Sequence, residues 1–451
     1  MTIALPRDIE YIIATLEKNG FDAYAVGGCV RDTIMGKPPK DWDICTEALP
    51  EQTIRSFPEQ RIFETGLKHG TVSLRLNHET YEITTFRTDG EYRDNRRPET
   101  VKFVRDIKED LSRRDFTINS LAYHPKKGLI DYFGGISDIK NKKIRAVGNS
   151  DKRFDEDALR IMRALRIASV LGFEIETNTS NSIINKRQLL KNIAAERISA
   201  ELNLLLCGNG VESIMLDYSA VIGTVIPEIL PCIGFNQKNP RHNLDVWQHT
   251  IKSIANAPPG PVSRLTMLLH DIGKPVCYTE TDGIGHFYGH QKISADMARI
   301  ILRRLKYDNE TVETVTKLIY HHDADIQPVG KHIKRWLNRL GEDTLRMLLE
   351  IKRADTMAHA EEVHRQRFEV LDEAKKSVDE VISQQQCFSI KDMAITGRDL
   401  IAIGITQGPE IGRALSTLLD MILDEEIPND RKTLIEKTKE LTDKAEPLPK
   451  I

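Results

Sequence analysis

Cysteine is scarce and scattered in this 451-residue chain: Cys29, Cys45, Cys207, Cys232, Cys277 and Cys387 include no Cys-x-x-Cys pair. Zinc ribbons and disulfide frameworks are therefore poor readings, and the cytoplasm is the expected compartment. Long apolar runs are also missing. No stretch approaches the roughly twenty residues of a membrane span. The start, Met1-Thr-Ile-Ala-Leu-Pro-Arg-Asp, lacks the basic segment and apolar core of a secretory signal. Neither sign of charge dominates: 64 Lys plus Arg face 67 Asp plus Glu, a net −3. That balance excludes nucleic-acid binding by bulk charge, though not by a local basic track. There is no tandem repeat and no low-complexity tract. What remains, 40% hydrophobic and 29% charged residues, is the composition of a globular protein of about three domains.

Residues 23 to 147 alternate β-branched stretches with Gly, Pro and Asn, and Gly70 to Leu76 and Glu79 to Phe86 read as two strands around Asn77-His78. From Phe154 apolar positions recur at helical spacing, with helices expected at Leu159 onward, Ala195 to Leu206, Trp247 to Ala255, Val262 to His270 and Lys292 to Leu305. Pro227 to Pro240 is the best internal linker, and Ser377 to Phe388 a second break. The expected architecture is an α+β head over residues 1–150, an all-α neck over 151–230, a helical body over 231–375 and a helical tail over 376–451.

Three patterns in this frame carry chemistry. Gly27-Gly28 ends an apolar strand, and a helix is expected from about Cys29, so backbone N–H groups and Arg31 can approach a phosphate. Asp41 and Asp43, two apart on an expected strand, point to one face, where their repulsion is relieved by a hard divalent cation, magnesium above all. Glu82 on a neighbouring strand is placed to add a third carboxylate for in-line phosphoryl transfer. Further along, Asp157, Arg160, Arg163 and Arg166 recur every three residues, a polar stripe opposite Leu159, Met162 and Leu165. Carboxylates only accept hydrogen bonds and guanidiniums only donate them. An Asp157/Arg160 pair therefore complements the amino group and ring nitrogen of cytosine or adenine, and mismatches guanine and uracil. In the body, His249, His270-Asp271, His290, His321-His322 and Asp355 form an ordered set suited to manganese, iron, nickel or magnesium.

Gly27-Gly-Cys-Val-Arg-Asp with Asp41-Trp-Asp resembles the polymerase-β-like nucleotidyltransferase head of class II tRNA nucleotidyltransferases (CCA-adding enzymes) and bacterial poly(A) polymerases. Ser112-Arg-Arg-Asp-Phe-Thr-Ile-Asn resembles the family's second motif, Asp131-Tyr-Phe-Gly-Gly the third, Asp155-Glu-Asp-Ala-Leu-Arg the fourth and Ala195-Glu-Arg-Ile-Ser the fifth. The resemblance implies that Arg114 contacts the triphosphate, that Asp115 contacts the ribose, and that Asp157 and Arg160 select the base, with CTP, ATP and the tRNA 3′ end as partners. Glu64-Thr-Gly-Leu-Lys-His-Gly-Thr-Val looks like the CCA-adding pattern rather than the poly(A) polymerase one. The loop from Arg87 to Pro98, with Gly90 as hinge and Arg96 and Arg97 as positive tips, is associated with the final A; an enzyme adding only that A is the alternative. The histidine set resembles an HD-domain phosphohydrolase, which implies His249, His270, Asp271, His290, His321 and Asp355 as metal ligands and makes hydrolysis a second alternative. Basic tracks for tRNA are expected at Lys140 to Arg153 and at Lys331, Lys334, Arg335 and Arg339.

Overall fold

A computed structural model describes residues 3–90, 100–240 and 242–443, and these divide into two compact units. The first comprises Met1–Leu230 with Arg303–Tyr307; the second comprises the rest of the chain from Pro231. The division at Leu230/Pro231 falls inside the linker expected from the sequence. Arg96 and Arg97 lie outside the described residues.

Unit 1 begins with α1 (Arg7–Lys18), whose Ile9, Ile12, Ile13 and Leu16 recur on one face and are buried. The seven-stranded sheet has the order β3-β4-β5-β2-β1-β8-β9. Its strands are β1 (Ala23–Val26), β2 (Asp43–Thr46), β3 (Arg61–Gly66), β4 (Thr71–Leu76), β5 (Glu79–Thr85), β8 (Leu121–His124) and β9 (Gly128–Asp131). A separate ribbon pairs β6 (Arg87–Asp89) with β7 (Val101–Phe103). Only β2 and β5 run parallel within the large sheet; their register sets Asp43 beside Glu82. The expected β4–β5 hairpin forms, with Asn77 and His78 at φ 48° and 72°, the positive-φ pair of a tight two-residue turn. Short helices α2 (Gly28–Ile34), α3 (Pro50–Ser56), α4 (Ile107–Ser112) and α5 (Gly135–Lys140) follow strands or lead into them.

The helical part of unit 1 contains α6 (Ser150–Glu156), α7 (Leu159–Leu171), α8 (Thr177–Lys186) and α9 (Ala195–Leu206). Leu159, Met162 and Leu165 are buried as their spacing predicts, and α7 packs on α9, where Ser169 Oγ donates to the Leu205 carbonyl at 2.7 Å. A two-residue parallel pairing, Lys143–Ile144 with Glu174–Ile175, adds a β element that the helical pattern did not announce.

Unit 2 is helical apart from a small ribbon, Thr279–Thr281 with Ile284–His286. Helices cover Val246–Asn256, Pro261–Leu269 and His290–Arg304, close to the expected positions, and a further helix covers Asn309–His321. The expected boundary at 375/376 falls within the continuous helix His364–Ser383, and the break comes only at Gln384. Beyond it Met393, Ile395, Leu400, Leu418 and Ile422 close a small core of their own.

Candidate functional site

Unit 1 carries a cleft of about 810 Å³ lined by eight arginines and five aspartates, among them Asp41, Asp43, Asp89, Asp115 and Asp157. A cavity with that lining suits a polyanion held by guanidiniums next to a cation held by carboxylates.

Gly27 ends β1 at φ 83°, ψ −132°, a conformation that glycine alone adopts readily, and its N–H donates to the Leu121 carbonyl. A Cβ there would stand 2.9 Å from Arg114 Nη1 and 4.0 Å from Asp43 Oδ2. The bare glycine thus leaves room for the Arg114 guanidinium beside it, from where its charge lowers the Asp43 pKa. The helix after it starts at Gly28, one residue earlier than expected. Arg31 donates through Nη1 to Asn119 Oδ1 at 2.6 Å and through Nε to Asp32 Oδ1 at 2.8 Å, which fixes its fork at the cleft wall.

Asp43 opens β2, but Asp41 precedes the strand, so the two carboxylates share the cleft through an extended lead-in and not through strand alternation. Glu82 stands one strand over in register with Asp43, and lies outside the cleft lining. Desolvation raises the Asp43 pKa; Asp41 and Glu82 push it the same way, while Arg114 opposes them. A carboxylate crowded by two others is a fitting ligand for a divalent cation.

Asp115 is 8% exposed. Its Oδ1 accepts from the Phe116 N–H at 2.8 Å and Asn119 Nδ2 at 3.1 Å, and its Oδ2 from Arg163 Nε and Nη2 at 2.9 and 2.6 Å. Burial alone would raise its pKa, but Arg163 outweighs burial and holds the carboxyl well below the usual range.

The expected stripe on one helix takes a different form. Asp157 is not on α7: it is extended, and its Oδ1 accepts the Leu159 N–H at 3.1 Å while Oδ2 takes Arg197 Nη2 at 3.4 Å. Arg160, Arg163 and Arg166 do share a face of α7 and all line the cleft. Arg160 is 8% exposed and pairs with Glu156 at 2.8 Å, not with Asp157; it also donates to the Arg153 carbonyl at 3.1 Å and the Arg113 carbonyl at 3.0 Å. Three of its five N–H donors are so engaged, and two remain for a ligand. Arg166 Nε donates to Glu201 Oε2 at 2.6 Å. Sequence reasoning missed Arg87, Asp89, Arg113, Asn119 and Arg197 as cleft residues. Arg113 and Asn119 stand inside the second motif and Arg197 inside the fifth, so the motifs marked the segments without marking these side chains.

Unit 2 gathers a second polar cluster. His249 Nε2 lies 2.9 Å from Asp355 Oδ1 and 3.5 Å from Asp271 Oδ2, and His270 Nε2 lies 3.3 Å from the same Asp271 oxygen. Asp271 Oδ1 faces His290 Nε2 at 3.4 Å and His322 Nε2 at 3.7 Å. The fourth imidazole is therefore His322 and not His321. Successive residues on a helix point about 100° apart, and His321 instead meets the Trp336 ring edge-on at 5.2 Å. His359, which the sequence did not single out, lies 3.8 Å from Asp355 through Nδ1. Burial, which lowers an imidazole's pKa, is outweighed at His270 by Asp271 and Asp355, and the group is pushed up to about 10. Among the described residues, all three groups of side chains close enough to share one ion lie here.

Half of the expected basic tracks is consumed internally. Lys334 pairs with Glu425 at 3.0 Å and Arg335 with Asp424, while Lys143 pairs with Glu174, Arg145 with Asp138 and Arg153 with Glu156. No helix among the described residues is long and apolar enough to cross a membrane.

Comparison with known proteins agrees with this geometry. The Poly A polymerase head domain family matches residues 23–145, an RNA and SrmB binding-site family of polymerase A matches 172–230, and a tRNA nucleotidyltransferase domain 2 family matches 278–438. A CCA-adding enzyme of Levilactobacillus brevis is 34% identical over 442 residues, covering 96% of this chain and 98% of that protein. One from Lactiplantibacillus plantarum reaches 51% identity over 197 residues, 44% of this chain and 48% of its own length. The crystal structure of the Bacillus stearothermophilus CCA-adding enzyme in complex with CTP superposes with a TM-score of 0.70 at 28% identity, covering 97% and 98% of the two chains. The same fold recurs in the Thermotoga maritima CCA-adding enzyme, at 19% identity and a TM-score of 0.59 over 97% and 96% of the chains. With a nearly full-length relative at this identity and a head, cleft and arginine face of this kind, the chain belongs to the family of CCA-adding enzymes.

Proposed function

We propose that this chain builds or repairs the 3′-terminal CCA of tRNA in the cytoplasm, taking CTP and ATP in turn without a nucleic-acid template and releasing pyrophosphate. The observation that carries this reading is one cleft with Asp41 and Asp43 at the foot of β2, Arg160, Arg163 and Arg166 on its helical wall, and Asp157 in the extended residue that leads into that helix. Asp41 and Asp43, with Glu82 beside them, would hold Mg2+, which when bound neutralises charge on the α-phosphate and the attacking 3′-oxygen. Gly27, Gly28, Arg31 and Arg114 receive the triphosphate. Asp115, kept ionised by Arg163, accepts from a ribose hydroxyl.

Base choice follows from hydrogen-bond polarity. Asp157 accepts from the exocyclic amino group of C or A, and a remaining N–H of Arg160 donates to the adjacent ring nitrogen. U and G present a carbonyl and an N–H in those places, which sets acceptor against acceptor and donor against donor. A site that leaves buried partners unpaired in this way discriminates by about 10⁴–10⁵. The test uses tRNA transcripts ending before CCA, after C and after CC, each offered the four nucleotides singly. Addition of C, C and then A with U and G refused supports the reading. Addition of A to the CC-ending transcript alone supports instead an A-only enzyme with a CC-adding partner.

A second reading concerns unit 2. The imidazoles of His249, His270, His290 and His322 surround the Asp271 carboxylate, two on each of its oxygens, with Asp355 beside His249 and His270. His249 and His270 with Asp271, and His290 and His322 with Asp271, each form a donor set fitting Mn, Fe, Ni or Mg. Such an ion, when bound, lowers the pKa of a coordinated water for phosphoester hydrolysis. Release of phosphate from nucleotide 2′,3′-cyclic phosphates or monoesters, abolished by Asp271→Ala and retained in Asp43→Ala, would support this activity; its absence with every metal would remove it.

A further inference from the structure

Three consecutive residues serve three different parts of the cleft. Arg113 offers its carbonyl to Arg160, Arg114 lies against Gly27, and Asp115 holds Arg163. Behind them stands Asp110, which is completely buried and belongs to α4. Its Oδ1 accepts from Arg113 Nε at 3.0 Å, from Arg113 Nη2 at 2.8 Å and from the Arg87 N–H at 3.2 Å. Its Oδ2 lies 3.6 Å from Arg114 Nη2. Arg113 Nε also donates to the Arg87 carbonyl at 3.0 Å, so the same carboxylate and guanidinium fasten the first residue of β6.

We infer that Asp110 is a positioning residue for nucleotide choice. It is buried behind the cleft and does not line it; it fixes the side chain of Arg113, and through it the backbone carbonyl against which the Arg160 guanidinium is aligned. Arg160 is tied at its other end to Glu156 and the Arg153 carbonyl, both from α6. The angle of its two remaining donors is therefore set jointly by α6 and by the Asp110–Arg113 clamp. A guanidinium held at only one end can rotate to accommodate a wrong base edge. Because Asp110 also fastens Arg87, displacement of the β6–β7 ribbon is felt at Arg160 along a path of three contacts: the Arg87 N–H on the Asp110 carboxylate, that carboxylate on the Arg113 guanidinium, and the Arg113 carbonyl on Arg160. This inference rests on the reading that Asp157 and Arg160 select the base.

The test compares Asp110→Ala, Asp110→Asn, Arg113→Ala and Arg160→Ala in the full chain, on tRNA ending in CC and in C. Steady-state kcat and KM are measured separately for ATP, CTP, UTP and GTP, with thermal melting alongside. In Asp110→Ala the ratio of correct to incorrect incorporation is expected to fall at least about tenfold from the 10⁴–10⁵ range, while KM for tRNA stays within about twofold of the parent. Arg113→Ala, which removes the guanidinium and keeps the carbonyl, should reproduce that loss, and the double variant should lose no more than either single one. Asp110→Asn keeps one acceptor oxygen and should recover part of the discrimination even if Asp110→Ala does not fold. A uniform fall in kcat/KM for all four nucleotides, with discrimination intact, would overturn the inference and leave Asp110 a purely structural residue. If Arg160→Ala loses discrimination and Asp110 and Arg113 variants do not, this inference alone fails. If Arg160→Ala retains discrimination, the base-reading assignment fails first.

Discussion

Replacing Gly27 by alanine perturbs the cleft in two separable ways. The backbone at φ 83°, ψ −132° is costly for an L side chain, by roughly 1–3 kcal/mol. A unit of 150–250 residues loses about 2–4 °C in Tm per kcal/mol, so a fall of several degrees is expected. The new methyl would also sit 2.9 Å from Arg114 Nη1, closer than a carbon and a nitrogen can pack. The far end of the arginine can yield, but only by leaving its place in the cleft lining, the place from which it is proposed to bind the triphosphate. Loss of one hydrogen bond to a charged group, about 1.5–3 kcal/mol, corresponds to roughly a 10- to 150-fold loss in kcat/KM. Because Asp157 and Arg160 are untouched, ATP and CTP should suffer alike and rejection of UTP and GTP should persist. Single-nucleotide addition assays with each triphosphate, at saturating tRNA, read both quantities. Unchanged kcat/KM, or a loss confined to one of the two correct nucleotides, would refute the assignment of Arg114 and Gly27 to the triphosphate.

Arg163→Ala removes both donors from Asp115 Oδ2 and leaves a nearly buried carboxylate with only the Phe116 N–H and Asn119. One-sided loss of a fully buried pair costs about 3–5 kcal/mol; with the Arg163 side chain 36% exposed, about 2 kcal/mol is expected, or some 4–8 °C. The Asp115 pKa is depressed in the fold, so this stabilisation is present above the ordinary carboxylate range and disappears as pH falls through the depressed value. The Tm gap between parent and variant should thus persist at pH 5 and narrow only in stronger acid. His322→Ala should lower the divalent metal retained after dialysis, measured by elemental analysis, whereas His321→Ala should leave it unchanged; equal retention in both would remove His322 from the ligand set. Glu82→Gln takes away a charge that raises the Asp43 pKa, so the acid limb of the rate profile should move to lower pH; movement to higher pH would contradict the coupling.

The fold and the head chemistry were largely legible because they depend on local pattern. Glycine punctuation, alternating strand residues and the helical spacing of Leu159, Met162 and Leu165 each dictate backbone and burial over a few residues. What the sequence concealed depends on contacts across long separations. Nothing local to Arg160 says that Arg113, 47 residues earlier, supplies a carbonyl to it. Asp157 looked helical because its spacing to Arg160 is three, but it caps the start of α7 by accepting the Leu159 N–H. His321 and His322 are indistinguishable by type, and only the phase of their helix decides which faces Asp271. Lys334 and Arg335 read as open basic charge until the chain returned with Asp424 and Glu425.

Each of the four cluster histidines donates through Nδ1 to a main-chain carbonyl: His249 to Ala358, His270 to Met267, His290 to Phe287 and His322 to Ile319. A carbonyl can only accept, so each ring carries a proton on Nδ1, and a ring that is neutral, or that gives up the second proton Asp271 and Asp355 favour on His270, has its lone pair on Nε2. The acceptor is backbone, supplied whatever side chain occupies those four positions. The tautomers of this centre are consequently insulated from sequence drift around it: Ala358, Met267, Phe287 and Ile319 can each change without unsetting a ring, so long as the helices and turns that carry them persist.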